Sequence, residues 1–445
     1  MPAKDVDTPV GRLPAEAFDA VRRLGRADIV VGIPSFNNAA TIRHVVQAAE
    51  AGANKYFPQS RTVIINSDGG STDATRDTVV SSGLDNTRLL LLNTPLFPVH
   101  RLSLPYHGIP GKGSAFRMIF RMASLLKAEA CAVVDSDLRS ITPEWIDLLL
   151  RPVLHAGFDF VAPYYHRHKY DGTITNSIVY PFTRALYGFR LRQPIGGEFG
   201  LSRRVMSRYL ERSDWESDAA RFGIDIWMTT IAMAEGFRIC QSFLGAKLHD
   251  AKDPGAHLGT MLQQVVSSVF ALMREYDRVW KPRRGSESVD LFGFHYGVGL
   301  DPVNVNTERM LHSFRSACEQ LSEIWSLAMH RDTLAQVQGL GAQIGGGTPA
   351  IRVEDELWVR IIADFAVSHR DMPLERGSLL KSLIPLYLAR VASFVEEMRE
   401  MTSDQVEERI EHLCLCFERM KPYLLARWDG AAVPEPEPAS AKPGG

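Results

Sequence analysis

The apolar and polar positions of this chain fall into two patterns, one after the other. From Ile29 onward, short β-rich runs alternate with stretches of helical periodicity. Ile29 to Ile33, Thr62 to Ile65, Leu89 to Leu92, Cys131 to Val134 and Phe158 to Ala162 read as strands. Ile42, Val45, Val46 and Ala49 carry the three-and-four spacing of one buried helix face between the first two. Strand and helix in alternation predict an α/β fold with a Rossmann-like, parallel sheet. Beyond about Pro254 the pattern becomes helical, with Leu262, Val265, Val266, Val269, Phe270 and Met273 on one stripe and a second helical block beginning near Glu354. The run from Gly339 to Gly347 breaks that periodicity and predicts a loop or hinge. Near the end, a capping box from Thr402 to Gln405 opens a helix whose face is Val406, Ile410, Leu413, Phe417, Met420 and Leu424. The expected organisation is an arm over 1–26, a nucleotide-binding domain over 27–255, a helical domain over 256–430 and a disordered Pro, Ala, Gly and Glu-rich tail over 431–445.

In open parallel sheets, ligands bind beyond the carboxyl ends of the strands. Pro34-Ser35, Asn66-Ser67-Asp68 and Asp135-Ser136-Asp137 all fall there. The last is the most telling. Side chains two apart on a strand point the same way, so Asp135 and Asp137 can face one ligand. Both are ionised near neutrality, and two carboxylates beside a phosphate call for a hard divalent cation between them. An Asp-rich turn capping the following helix is the competing reading.

Composition narrows the ligand. The chain is 445 residues long, 45% hydrophobic and 23% charged, which suits a globular protein of two or three domains. A formal net charge of -2 argues against nucleic acid or an anionic membrane as a bulk partner. Five scattered cysteines read as reduced thiols, and no uninterrupted apolar run approaches the ~20 residues of a membrane span, so a cytoplasmic protein is expected.

The loop Gly108-Ile109-Pro110-Gly111-Lys112-Gly113-Ser114 has the glycines and the lysine of an anion site. It is not a Walker A loop, because Gly113 stands where Ser or Thr should follow Lys112. Nor does a G-x-G-x-x-G follow the first strand, where Gly32-Ile33-Pro34-Ser35-Phe36-Asn37 stands instead, which disfavours a dinucleotide dehydrogenase.

Taken in order, Pro34-Ser35-Phe36-Asn37, Asp68-Gly69-Gly70-Ser71-Thr72-Asp73, Gly111-Lys112-Gly113 and Asp135-Ser136-Asp137 resemble a nucleotide-sugar glycosyltransferase of the GT-A fold. Gln193 to Arg203, Phe222 to Ile226 and Leu244 to His249 narrow the resemblance to the retaining enzymes of glycosyltransferase family 81, over roughly residues 27 to 275. That resemblance implies a metal-dependent hexosyltransferase. It puts the uridine and ribose over Pro34, Ser35 and Asn37, with Ser67 or Asp68 beside the base and Lys112 and Ser136 near the nucleotide. It makes Asp137 a direct ligand of Mg or Mn, Asp135 a contact to ribose or metal-bound water, and His249 the ligand that closes the sphere. Glu198 and Asp225 become candidates for holding the sugar and the acceptor, although the family has Glu where Asp225 stands.

The resemblance also bears on the acceptor. Members that use phosphoglycerate grip its phosphate with a Gly-Arg-x-Thr segment, and the matching stretch here is Gly172-Thr173-Ile174-Thr175, without the arginine. D-glycerate is therefore the expected acceptor, with Thr173, Thr175 and Asn176 as neutral donors, and glucosylglycerate, a compatible solute, the product. His166, Arg167, His168 and Lys169 lie just upstream as an alternative anion site. The donor is expected to be UDP- or GDP-glucose, and the resemblance suggests a homodimer. The competing functions are a synthase using 3-phosphoglycerate, a mannosylglycerate-type synthase, an inverting family 2 transferase and a non-catalytic sugar-nucleotide binder.

Overall fold

The computed structural model describes residues 13–82, 99–106, 109–218, 221–248, 254–294, 303, 305–345, 351–372 and 376–432. The strand expected at Leu89 to Leu92, Gly108, His249 and the tail from residue 433 lie outside them. The strands are β1 (Ile29–Ser35), β2 (Thr62–Asp68), β3 (His100–Pro105), β4 (Ala130–Val133), β5 (Phe160–His166), β6 (Phe189–Arg190), β7 (Phe199–Ser202), β8 (Ile239–Ala246), β9 (Glu287–Ser288) and β10 (Asp290–Phe292). Among the described residues, eight form one sheet in the order β10-β8-β5-β7-β4-β1-β2-β3, and β6 pairs with β9 in a small ribbon. Every pair in the large sheet is parallel except those of β7, which runs antiparallel to β4 and β5.

The chain divides into two compact units: one of 1–175, 189–272 and 287–303, the other of 176–188, 273–286 and 304–445. In the first, the helices Ile42–Tyr56 and Pro143–Ala156 cover one sheet face, where Val45, Val46, Ala49, Ile146 and Leu149 meet Ile29, Val31, Ala132 and Val161. The helix Lys112–Leu125 covers the other, and it lies so close to β1 that a Cβ on Gly32 would sit 2.5 Å from Ile119. That glycine lets the helix press against the strand, which brings Lys112, in its first turn, to the carboxyl edge.

The second unit is helical. Its polar interior is paired: Arg184, buried, bonds Glu411 and Glu418, and Asp364 accepts from the His330 N-H, the Tyr423 hydroxyl and Arg427. The capping box at Thr402 and Gln405 forms with both of its bonds. The helix ends at Arg419, and a second helix, Lys421–Asp429, starts with proline in its first turn, so Leu424 belongs to that helix. The loop expected from Gly339 is a correction: the helix Arg331–Gly345 runs through Gly339 and Gly341. A Cβ on Gly341 would lie 2.6 Å from Cys318 Sγ, so this glycine serves a close approach of helices, which outweighs its poor intrinsic propensity. Among the described residues, Arg376–Glu397 is the one helix long and apolar enough to cross a membrane, and 72% of its apolar window is buried.

Candidate active site

The ends of β1 and β2 form a rigid polar mesh. Asp68, with no exposure, accepts the Ser35 hydroxyl at 3.0 Å, the Gly70 and Ser71 amides at 3.0 and 2.8 Å, and the Ser71 hydroxyl at 2.6 Å. Asn66 Nδ2 donates to Ser35 Oγ at 2.7 Å. Ser35 and Asp68 are thus turned inward, Pro34 is buried, and Ser67 Oγ is buried without a hydrogen-bond partner among the described residues. Asn37 is on the surface in a left-handed conformation, φ 54°, with Oδ1 accepting the Thr72 amide at 2.9 Å. Ser136 ties this loop to the next strand end, its hydroxyl donating to Asn38 Oδ1 at 2.9 Å.

Beyond β4 the structure gathers a continuous string of charges. Lys112 Nζ lies 2.8 Å from Asp135 Oδ1 and 3.3 Å from Asp225 Oδ1. Lys247 Nζ, from the segment just after β8, donates to Asp135 Oδ2 at 3.0 Å, to Glu198 Oε1 and Oε2 at 2.8 and 2.9 Å, and to the Gly196 carbonyl at 2.8 Å. The Tyr165 hydroxyl closes the string on Glu198 Oε2. Gly197, φ 98°, passes so near that a Cβ there would stand 2.5 Å from Asp135 Oδ2 and 2.9 Å from Lys247 Nζ. Lys247 was not singled out from the sequence; a lysine at the end of an otherwise apolar strand was the available signal.

Burial sets the protonation of this cluster. It pushes Glu198, wholly enclosed, up to about 7 even though the Lys247 ammonium pulls the other way. It also raises Asp225, against the pull of Lys112. For Asp135, burial acts upward too, but Lys112 and Lys247 together outweigh it and hold the carboxyl well below the ordinary range. Burial would lower both lysines, and the surrounding carboxylates reverse that and raise them. Asp135 is therefore a firm anion between two firm cations.

This arrangement separates the two acids expected to hold the sugar. Glu198 accepts from Lys247 and Tyr165 and has no exposed surface. Asp225, in the first turn of the helix Ile224–Ala234, is held more loosely: Lys112 Nζ stands 3.4 Å from its Oδ2 and 3.3 Å from its buried Oδ1, and Oδ1 makes no hydrogen bond among the described residues.

The segment expected to meet the acceptor has a cation beside it. Arg167, one residue beyond β5, lays its guanidinium along Gly172, where a built Cβ would meet its Cδ at 3.5 Å and Nη1 at 3.6 Å. Nη1 reaches Asp171 Oδ2 at 3.4 Å, the guanidinium carbon lies 5.6 Å from the Tyr165 ring centre, and the buried Nε has no hydrogen-bond partner among the described residues. A guanidinium thus lies along the start of the Gly172 to Thr175 segment, which has no arginine of its own. Thr175 and Asn176 open a π-helical turn, Thr175–Val179, and both are buried, while Thr173 is half-buried.

The two carboxylates expected to meet a metal differ in their surroundings. Asp135 has an ammonium on each oxygen, so a cation there would have to displace a lysine. Asp137 is half-buried, and His249, its expected co-ligand, lies outside the described residues. Among the described residues no three His, Cys, Asp or Glu side chains gather as a complete metal site.

Residues 95–271 match the family model described as mannosylglycerate synthase, GT domain. That span contains Lys112, Asp135, Asp137, Glu198, Asp225 and Lys247, and it agrees with the glycosyltransferase resemblance carried by the motifs. No curated protein sequence matches the chain. Solved structures similar to it include glucosyl-3-phosphoglycerate synthase from Mycobacterium tuberculosis with Mn2+, UDP and glucosyl-3-phosphoglycerate, at 23% identity over 58% of this chain and 85% of that one, TM-score 0.42. The same enzyme with Mg2+ and UDP gives 22% identity, 58% and 84% coverage and a TM-score of 0.41. Its complex with Mn2+, UDP-glucose and phosphoglyceric acid gives 23% identity, 60% and 88% coverage and a TM-score of 0.41.

Proposed function

We propose that this chain is a retaining glycosyltransferase that moves a hexose, glucose first, from a nucleoside-diphosphate sugar to D-glycerate. The observation that carries the reading is the cluster of Lys112, Asp135 and Asp225 at the carboxyl edge of the sheet, inside the segment matched to the mannosylglycerate synthase GT domain. Lys112 meets the diphosphate of UDP- or GDP-glucose and exchanges its Asp225 contact for a phosphate oxygen. Asp225, so released, accepts a hexose hydroxyl and fixes the anomeric carbon toward the acceptor. A divalent cation, Mg or Mn, would be held by Asp137 and His249 and would supply charge neutralisation for the diphosphate leaving group.

Arg167 holds the acceptor's anion, with its guanidinium fork matched to a carboxylate. Thr173, Thr175 and Asn176 serve the acceptor hydroxyls. One guanidinium suits the single charge of glycerate. The second reading, 3-phosphoglycerate as acceptor, is favoured by His168 and Lys169 beside Arg167. A compatible-solute product and a homodimer belong to the same proposal, as does a cytoplasmic setting.

The test is mass spectrometry of products from UDP- and GDP-glucose and GDP-mannose, each offered to glycerate and to 3-phosphoglycerate with Mg2+ or Mn2+. Glucosylglycerate is the expected main product. Faster turnover of 3-phosphoglycerate by tenfold or more, about 1.4 kcal/mol of preference, reverses the acceptor assignment. Arg167→Met should raise the acceptor KM about 10- to 100-fold, as loss of a charge-assisted bond does, with donor KM unchanged.

A further inference from the structure

We propose that Trp358 is a positioning residue for the acceptor: its indole N-H holds the π-helical turn that carries Asn176 in the register at which Asn176 meets the acceptor. The inference rests on the acceptor reading above and adds what sets the geometry of that segment. Trp358 has no exposure, and its Nε1 donates to the Ser177 carbonyl at 2.7 Å. A buried indole N-H usually finds some partner. This one finds a carbonyl that the local sequence has left over. The turn Thr175–Val179 runs directly into the helix Tyr180–Tyr187, which has Pro181 near its start. Pro181 has no amide hydrogen, so the Ser177 carbonyl, four positions back, cannot receive its α-helical bond. Trp358 supplies a donor in its place, and Asn176, Ser177, Pro181 and Trp358 all lie within one compact unit.

The donor is itself held. Its helix, Asp355–Asp371, begins one turn before Trp358. There the Asp355 carboxylate accepts Arg390 Nη2 at 2.7 Å and Arg409 Nη1 and Nη2 at 2.8 and 2.7 Å, and Arg390 Nη1 donates to the Val353 carbonyl at 2.6 Å. The indole therefore reaches Ser177 from a clamped helix start.

A π-helical turn holds one residue more than an α-helical one, is rare, and concentrates at functional sites. Relaxing it to an α-helix would take one residue out of the turn and swing the chain before it by about 100° around the helix axis. Asn176, on the side that swings, would then point elsewhere. Pro181 denies the α-helical bond and Trp358 rewards the alternative, so the two residues together fix where Asn176 points.

The test compares wild type with Trp358→Phe, Pro181→Ala and the double variant. The measurements are initial rates on UDP- or GDP-glucose with glycerate or 3-phosphoglycerate and Mg2+, calorimetric affinity for UDP and GDP, and hydrogen exchange of the peptide covering residues 173–187. Trp358→Phe should raise the acceptor KM about tenfold, the size of one lost hydrogen bond, and speed exchange in that peptide, with nucleotide affinity within about twofold of wild type. In Pro181→Ala the new amide competes for the Ser177 carbonyl, and the acceptor KM should rise likewise without faster exchange. In the double variant that amide pairs the carbonyl that Trp358 has released, so protection should return while the acceptor KM stays high. An acceptor KM that recovers together with protection makes the bond merely structural and overturns the proposal. An unchanged acceptor KM in either single variant also overturns it, as does nucleotide affinity falling in step with that KM. If Trp358→Phe does not fold, Pro181→Ala decides alone. If wild type glycosylates neither acceptor, the acceptor reading itself falls, and this inference with it.

Discussion

Replacing Lys247 with methionine tests the electrostatic account of the site most directly. Methionine keeps much of the buried stem and removes only the ammonium, which makes three carboxylate bonds of 2.8 to 3.0 Å and one carbonyl bond of 2.8 Å. Asp135 retains Lys112, but Glu198, fully enclosed, loses its cation and keeps the Tyr165 hydroxyl. Breaking one side of a buried pair costs about 3–5 kcal/mol. The isolated carboxylate escapes part of that cost by taking a proton, since burial already puts it at about 7 with the lysine present. Its pKa in the folded variant then stands further above that of the unfolded chain. A raised folded-state pKa gives stability that is complete below the unfolded pKa, about 4.3, and lost as pH rises through the folded value. The penalty should thus be smaller at pH 6 than at pH 8. Because the chain has two units, a local probe is appropriate, namely hydrogen exchange of peptides covering β7 and β8, corrected for intrinsic rates. At pH 8 their protection should fall by about two to three orders of magnitude, and by less at pH 6. Adding Glu198→Gln, which leaves no charge to bury, should restore about 1–3 kcal/mol. A loss under about 1 kcal/mol at pH 8, a pH-independent loss or strict additivity of the double variant would refute the reasoning.

Gly197→Ala should cut turnover at least tenfold, since the new Cβ collides with Asp135 and Lys247 at a φ of 98°; wild-type rates would show that the loop adapts. Asp137→Asn should weaken Mn2+ binding in the presence of UDP by tenfold or more in paramagnetic resonance titrations, whereas unchanged binding removes Asp137 from the metal site. Asp225→Asn should lower kcat with little change in UDP affinity, and a loss of UDP affinity alone would contradict its assignment to the sugar. In the helical unit, Thr402→Ala removes a capping bond and should cost about 1 kcal/mol, read as faster exchange in the first turn after Ser403.

Much of the first unit was legible because its strands are buried on both faces and so read as apolar runs; β1, β2, β4 and β5 lie within a few residues of their expected places. β7 escaped notice because Phe199-Gly200-Leu201-Ser202 is short and carries a glycine, and its strand character comes from the partners on either side. The helix through Gly339 and Gly341 was misread for the opposite reason, local propensity yielding to a close approach.

The same division runs through the site. The sequence by itself determined which charged groups gather at one edge, because the buried run ending at Val134 carries Asp135 and Asp137 just past β4 and the Gly-Lys-Gly turn starts a helix beside them. Those are local facts of spacing. Only the tertiary structure decided their surroundings, since burial and pairing depend on what else arrives from distant parts of the chain. Lys247 comes from 112 positions beyond Asp135 and saturates it together with Glu198. Arg167 folds back on Gly172, a contact that no local spacing announces. Which carboxylate is walled in and which is open to a ligand is a property of burial, and burial is settled by the packed fold.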